Sequence, residues 1–172
     1  MKILIAGDGK VGETLAKELA DEGHDLILID RDATVLEATA GKYDVMTLRG
    51  NCASMDTLRD AGVGDADLLI AATGVDELNL LTCLTAHSMN GKLHTIARIH
   101  NPEFMGQVYE MRDRFGLSLT FNPEKQTAVE IDRLLKFPGF LKRDAFAHGR
   151  LEIVELRIDR QSKLCDRTLY NL

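Results

Sequence analysis

MKILIAGDGKVGETLAKELADEGHDLILID, residues 1–30, decides the fold. Residues 2–6 are a short apolar run, and Gly7-Asp8-Gly9-Lys10-Val11-Gly12 follows at once. Val11, Leu15, Ala16, Leu19 and Ala20 then recur at helical spacing, with Gly23 as the stop. A second apolar run, residues 26–29, ends in Asp30. The three loop glycines differ in what they allow. Gly7 permits the tight turn out of the strand, Gly9 lets the backbone approach a pyrophosphate, and Gly12 lets the helix lie close to the strand. The amino terminus of the helix offers N–H groups and a positive dipole end to phosphates, with Lys10 and Val11 in its first turn. Asp30, 18 residues past Gly12, stands where a carboxylate meets an adenosine ribose hydroxyl. The bland alternative is a βαβ unit with an empty site. The strand before, the helix after and the acid beyond favour a working dinucleotide site.

Outward from this unit, strands and helices keep alternating. Residues 32–41 read as a short helix stopped by Gly41, and residues 43–48 as a third strand. Gly50-Asn51-Cys52 is a loop at its carboxyl end, and Ser54 is placed to cap a helix over 55–61 that Gly62 ends. Residues 66–72 are a fourth strand, followed by Thr73-Gly74. This alternation predicts an α/β fold, a Rossmann-like, doubly wound, six-stranded parallel sheet. Right-handed crossovers place strands three and four on opposite sides of strand one. The crevice then opens between residues 7–12, Asp30, Asn51 and Thr73.

In the helix over 76–89, apolar residues spread round the cylinder, so it is buried twice or carries a wide core face. Another subunit is one candidate for the second surface. Residues 94–99 are strand five. A helix over 101–114 has Phe104, Val108 and Met111 inward, residues 117–121 are strand six, and a last helix runs to Lys136. Three regions result: a nucleotide-binding domain, 1–137; a connector, 138–149; and residues 150–172, a half-exposed strand and a stub that begin a second, small α+β domain. One strand and a stub make no core, so the expectation is a fragment of a longer protein or a tail that packs on a neighbour.

The formal net charge is −6, and the acidic excess falls within residues 1–137. Such a balance argues against nucleic-acid binding but not against one nucleotide on a glycine loop. No run has the length of a membrane helix, so no direct membrane insertion is expected. Three scattered cysteines, Cys52, Cys83 and Cys165, form neither metal spacing nor disulfide framework and fit a reducing cytoplasm.

The motifs together resemble the RCK, or KTN, family of potassium-transport regulatory domains. The resemblance rests on residues 5–12, 29–32, 50–53, 61–67, 72–79 and 97–99, and covers the whole chain, with 152–172 similar to the start of the family's carboxyl-terminal domain. It implies a cytosolic regulator that binds NAD(H) or ATP/ADP. The ligand state would pass to a membrane potassium transporter or channel, at the inner face of the cell membrane through that partner. It also implies homo-oligomers, as dimers and octameric rings. By the motif, Gly7, Gly9, Lys10, Val11 and Gly12 hold the phosphates, and Asp30 with Arg31 takes the ribose. Asn51 and Cys52 lie by the adenine, Thr73, Asp76 and Asn79 line the far side, and Arg98 reaches a phosphate. Asn51 departs from the acid usual there, which bears on the adenine contacts and the choice of nucleotide.

Two other readings compete. An NAD-dependent oxidoreductase needs a proton donor and a substrate pocket. No Tyr is followed four residues later by Lys, and of His87, His94 and His100 only His100, at a strand's carboxyl end, is worth testing. An assembly module with an unused site is opposed by the intact loop and its acid. Asp30 also bears on cofactor choice, because it repels the 2′-phosphate that Arg31 alone would accept. NADH is therefore expected to bind more tightly than NADPH in parallel titrations, and the reverse order would contradict this reading.

Overall fold

The structure is a computed structural model that describes residues 1–136, 140–146 and 151–156. The backbone divides into two compact units, Met1–Pro123 and one beginning at Glu124. The first runs β1 (Lys2–Ala6), α1 (Lys10–Asp21), β2 (Asp25–Asp30), α2 (Ala33–Ala40), β3 (Met46–Arg49) and α3 (Met55–Asp60). It continues through a 3₁₀ turn (Val63–Asp65), β4 (Leu68–Ala71), α4 (Asp76–Met89), β5 (His94–Arg98), α5 (Pro102–Met111) and β6 (Leu117–Phe121).

The sheet order is β3-β2-β1-β4-β5-β6, every pairing parallel. β1 is therefore central, and the chain reverses direction across the sheet on either side of it, as the crossover rule requires. In register, Ile5 lies between Leu28 of β2 and Ile70 of β4. A strand covered on both faces has to be apolar throughout, and Ile3, Leu4, Ile5 and Ala6 are all buried. Alternation sends Ile3 and Ile5 into one cluster with Ala16 of α1, Leu28 and Leu36. Leu4 and Ala6 enter the other, with Leu58 of α3, Leu69, and Cys83 and Ala86 of α4.

The ends of the helices follow from local chemistry. Asp32 Oδ1 accepts the Thr34 N–H at 2.8 Å to cap α2, and Asn101 Oδ1 accepts the Glu103 N–H at 3.0 Å to cap α5, with Pro102 at the first helical position. Gly62, with φ +71°, closes α3 in the left-handed region as expected of a glycine stop. Ser54 occupies the cap position of α3, but its side chain makes no capping bond.

Several boundaries differ from the sequence reading. β3 starts at Met46 instead of Tyr43, because the Lys42 and Tyr43 N–H groups both still bond Thr39 O at 3.0 Å. β4 starts at Leu68 instead of Ala66, because the Ala66 N–H closes the 3₁₀ turn on Val63 O at 3.3 Å. α5 ends at Met111, and Met111 is exposed, whereas Val108 is buried and Phe104 half-buried. On α4 the buried stripe is Asn79, Thr82, Cys83 and Ala86, while Leu81 and Leu84 face outward. Leu78, Leu80 and Met89 pack partly against the core, so the helix carries apolar groups on both faces and polar Asn79 and Thr82 on the buried one.

The second unit contains most of α6 (Pro123–Lys136) and an antiparallel hairpin of β7 (Phe140–Phe146) and β8 (Leu151–Leu156). β7 lies within the stretch expected as connector. Its sequence, FLKRDAF, does not alternate apolar and polar residues, and its pairing shifts register between Phe140 and Lys142. The expected stub beyond β8 lies outside the described residues. Among the described residues, no helix is long and apolar enough to cross a membrane.

One side chain fixes the approach to β4. Asn90, after α4, donates from Nδ2 to the carbonyls of Val63, Gly64 and Ala66 at 3.0–3.2 Å, and its Oδ1 accepts the Lys92 N–H at 3.1 Å. Asn90→Ala should lower unfolding free energy by about 1–2 kcal/mol in urea titration, with an unchanged m-value.

Candidate functional site

The carboxyl ends of β1, β2, β3 and β4 meet in one crevice. Backbone bonds tie their exits together: Gly7 N–H to Ile29 O at 2.8 Å, Gly50 N–H to Asp30 O at 2.8 Å, and Ala72 N–H to Ala6 O at 2.8 Å. A cavity of about 130 Å³ between them is lined by Gly7, Asp30, Arg31, Gly50, Cys52, Thr73 and Leu78, with Ile29 behind.

The glycine loop is built as its spacing demands. Gly7 has φ +98°, and a Cβ there would lie 2.8 Å from the Thr73 nitrogen. A Cβ on Gly12 would run into the Gly7 carbonyl oxygen. These two glycines are required by the protein itself. Gly9 differs: a Cβ on it would meet no protein atom within 4 Å. The first helical bond joins Glu13 N–H to Gly9 O at 2.8 Å, so the N–H groups of Lys10, Val11 and Gly12 precede the ladder and have no acceptor within the helix. Open space beside Gly9 and three N–H groups ahead of the ladder at a positive helix end fit a phosphate chain.

Asp30 organises the acid side. Its Oδ2 accepts the Asp8 N–H at 2.8 Å and its Oδ1 accepts the Asp32 N–H at 3.0 Å, which fixes the carboxylate at the mouth of the crevice. Arg31 is exposed, and its carbonyl accepts Arg49 Nε at 3.1 Å. Asn51 is exposed and folds back, its Oδ1 accepting the Ala53 N–H at 3.3 Å. Cys52 is buried in the wall, its Sγ 3.4 Å from Thr82 Oγ1, and burial pushes the thiol pKa up. It is a packing group, not a reactive thiolate.

On the far side, Asn79 is wholly buried and uses all four of its amide valences. Oδ1 accepts the Thr73 N–H at 2.9 Å and the Thr73 hydroxyl at 2.6 Å, and Nδ2 donates to Thr73 O at 3.1 Å and Arg98 O at 2.9 Å. Asp76, also buried, accepts the His100 N–H at 2.9 Å and the Asn101 N–H at 2.7 Å. Both side chains therefore hold the β4 and β5 exits in place, and Thr73 alone of this group lines the cavity. Arg98 is half-buried at the end of β5, outside that lining.

The structure thus gathers Gly7, Asp30, Arg31, Cys52 and Thr73 round the cavity. It places Gly9, Lys10, Val11 and Gly12 at the adjoining helix end and Asn51 on the outer rim. Sequence reasoning passed over Leu78 and Gly50. Gly50 had a signal, as a glycine at a strand's carboxyl end, and a Cβ there would lie 2.6 Å from Thr57 Cγ2. A larger groove of about 520 Å³ opens at the opposite edge of the sheet, lined by Lys2, His24, Asp25, Asp44, Asp60 and apolar neighbours. Its three carboxylates would repel phosphates. Among the described residues, no three His, Cys, Asp or Glu side chains are arranged to hold a metal.

The family model for the TrkA-N domain matches residues 3–123. The chain is similar to a Trk system potassium uptake protein TrkA homolog of Archaeoglobus fulgidus, 37% identical over all of this chain and 39% of that protein. It therefore spans about two fifths of that relative's length. Among solved structures it is similar to GsuK bound to ADP, with TM-score 0.66 and 25% identity over 80% of this chain and 34% of that one. The GsuK channel bound to NAD has TM-score 0.60 and 20% identity, over 71% of this chain and 21% of that one, and at that identity shares the fold alone.

The amide at position 79 is the sharpest test of the crevice's construction. In Asn79→Asp a carboxylate oxygen replaces the Nδ2 donor against two carbonyls at 2.9–3.1 Å. The substitution should cost about 3 kcal/mol or more in denaturant unfolding.

Proposed function

The chain belongs to the TrkA-N domain family, and on that premise we propose that it is the nucleotide-binding regulatory domain of a potassium-uptake system. The observation that carries this reading is the cradle at Gly9: open space with no described atom within 4 Å of a Cβ there, at a helix end whose first three N–H groups precede the hydrogen-bond ladder. The ligand is NAD(H) or ATP/ADP. When bound, it supplies a negative phosphate chain and an adenosine that reach loops from both halves of the sheet.

Gly7, Gly9, Lys10, Val11 and Gly12 hold the phosphates, backbone N–H groups acting as donors and the Lys10 ammonium as a counter-charge. Asp30 takes the ribose hydroxyls, flanked by Arg31. Cys52 and Asn51 bound the adenine side. Thr73 closes the far wall, with Asn79 and Asp76 setting its position, and Arg98 stands beyond as a phosphate contact. A relative at 25% identity holds ADP, which supports an adenine nucleotide here. The relatives' names describe potassium uptake and channels, not catalysis, so no enzymatic role is assigned.

The partner is a membrane potassium transporter or channel, which the domain meets at the cytoplasmic face. Regulation follows if the nucleotide favours one arrangement of subunits. Binding then shifts that population, and a coupling of about 1–3 kcal/mol is enough to bias a gate. Homo-oligomerisation is part of this reading. It is supported by apolar side chains left outside the core: Leu81 and Leu84 on α4, and Ile131, Leu134 and Leu135 on α6. The domain boundaries proposed are 1–137 for the nucleotide-binding domain, a connector to 149, and the start of a second domain from 150.

Calorimetric titration with NAD, NADH, ADP and ATP tests the site, with Gly9→Asp as control. Gly9 is the N-cap of α1 with no side-chain capping bond, so Asp there fits and should leave stability within about 0.5 kcal/mol. The same side chain fills the cradle with bulk and negative charge, and affinity should fall about a hundredfold or more. Micromolar binding lost in this stable variant supports the reading. Unchanged binding in Gly9→Asp, or no binding by the wild-type chain, overturns it.

A further inference from the structure

Asp8, between the first two glycines of the loop, is 3% exposed, and among the described residues no donor meets its carboxylate oxygens in full hydrogen-bond geometry, the Thr39 side chain being the one that interacts with it. Its backbone N–H is committed to Asp30. A buried carboxylate with so little hydrogen bonding is costly. Its surroundings do little to neutralise it. Asp30 at the end of β2 and Glu13 on α1 add negative charge, while the Thr39 hydroxyl of α2, as a donor, and the Lys42 charge beyond it act in the opposite sense. The Lys42 ammonium is already paired with Glu13 Oε1 at 2.6 Å. Burial, reinforced by these two acids, raises the pKa of the Asp8 carboxyl above its ordinary 3.8.

The same loop carries the N–H groups assigned above to the phosphates, beginning two residues after Asp8. We propose that Asp8 takes up a proton from solvent when a diphosphate docks on the glycine loop, so that nucleotide affinity rises as pH falls. This rests on the nucleotide-binding reading of the crevice. A second and a third negative charge beside a poorly solvated carboxylate favour its neutral form, and the neutral form gains an O–H donor that its neighbours Asp30 and Thr39 can accept. The balance is simple: one proton leaves the buffer and joins one Asp8 oxygen per nucleotide bound.

The sign follows from linkage. The bound state holds more protons than the free state at any pH between the free and the bound pKa of Asp8, so lowering pH through that window tightens binding, by up to about tenfold per pH unit for one proton. Asp8 thereby sets specificity by charge. It disfavours polyphosphates that bring more negative charge than a dinucleotide, and most strongly at high pH.

The test is calorimetric titration with NAD, whose diphosphate ester does not titrate near neutrality, from about pH 5 to pH 8. Each titration is run in two buffers of different ionisation enthalpy, which gives the protons taken up. Wild type is compared with Asp8→Asn and, in case the amide packs poorly, Asp8→Ala. The expected result is uptake approaching one proton in wild type within the window, near zero in both variants, and a flatter affinity profile against pH in the variants. Thermal unfolding without ligand gives an independent check: Asp8→Asn should melt higher than wild type at pH 8, with the difference shrinking as pH falls and wild-type Asp8 is protonated. Binding by wild type without proton uptake, or with uptake that both variants retain, overturns the role of Asp8 while leaving the nucleotide site intact. Absence of NAD and ADP binding at every pH overturns the site itself, and this inference with it.

Discussion

The Gly7 carbonyl oxygen occupies the space where residue 12 would otherwise carry a Cβ. This backbone-to-backbone contact, allowed only because both residues are glycine, sets how closely α1 lies on β1. That closeness aims the amino end of α1 at the crevice and brings its first N–H groups to the carboxyl edge of the sheet. The Thr73 nitrogen would press on a Cβ at Gly7 in the same way, so the exits of β1 and β4 are held in contact. Asn79 then locks the β4 exit to the β5 exit through four hydrogen bonds. Two glycines and one amide fix the shape of the site before any ligand arrives.

The electrostatics of the crevice work against the charge of the molecule as a whole. The chain carries −6, yet its proposed ligand is an anion. Attraction has to be local, from a helix end and oriented backbone donors, and such forces act over a few ångströms. Asp30 and Asp8 stand beside this positive end and limit it. Asp30 spends part of its charge on two backbone N–H groups, whereas Asp8 has only the Thr39 side chain beside it. A site balanced in this way answers to small changes in the charge of its ligand, a property suited to a sensor.

Much of the sheet was legible because its signals are local. An apolar run, a glycine fingerprint and a helical period sit within thirty residues, and the strand order follows from crossover handedness. What stayed hidden depends on contacts between distant positions. Asn79 looks like a crevice residue in the sequence, because nothing in one dimension shows that Thr73 and Arg98 use all four of its valences. Asp76 reaches the His100 and Asn101 N–H groups across more than twenty residues. Asp8 passed as filler between glycines, since burial of a loop side chain has no period. β7 was hidden because FLKRDAF has no apolar–polar alternation, and the start of β3 by a helix end that runs on to Tyr43. On α4 the buried stripe mixes Asn79 and Thr82 with Cys83 and Ala86 while Leu81 and Leu84 face outward, a pattern that hydrophobicity alone does not reveal.

The most direct test of the crevice as a nucleotide site is a map of backbone amide shifts in ¹⁵N-labelled protein during titration with NADH and with ADP. Shifts concentrated at residues 8–12, 30–31, 50–52 and 73–74, with residues 24–27 and 44–46 of the opposite edge unmoved, are the expected result. Shifts centred on that opposite groove, or spread without focus at saturating nucleotide, would contradict a binding site at the glycine loop.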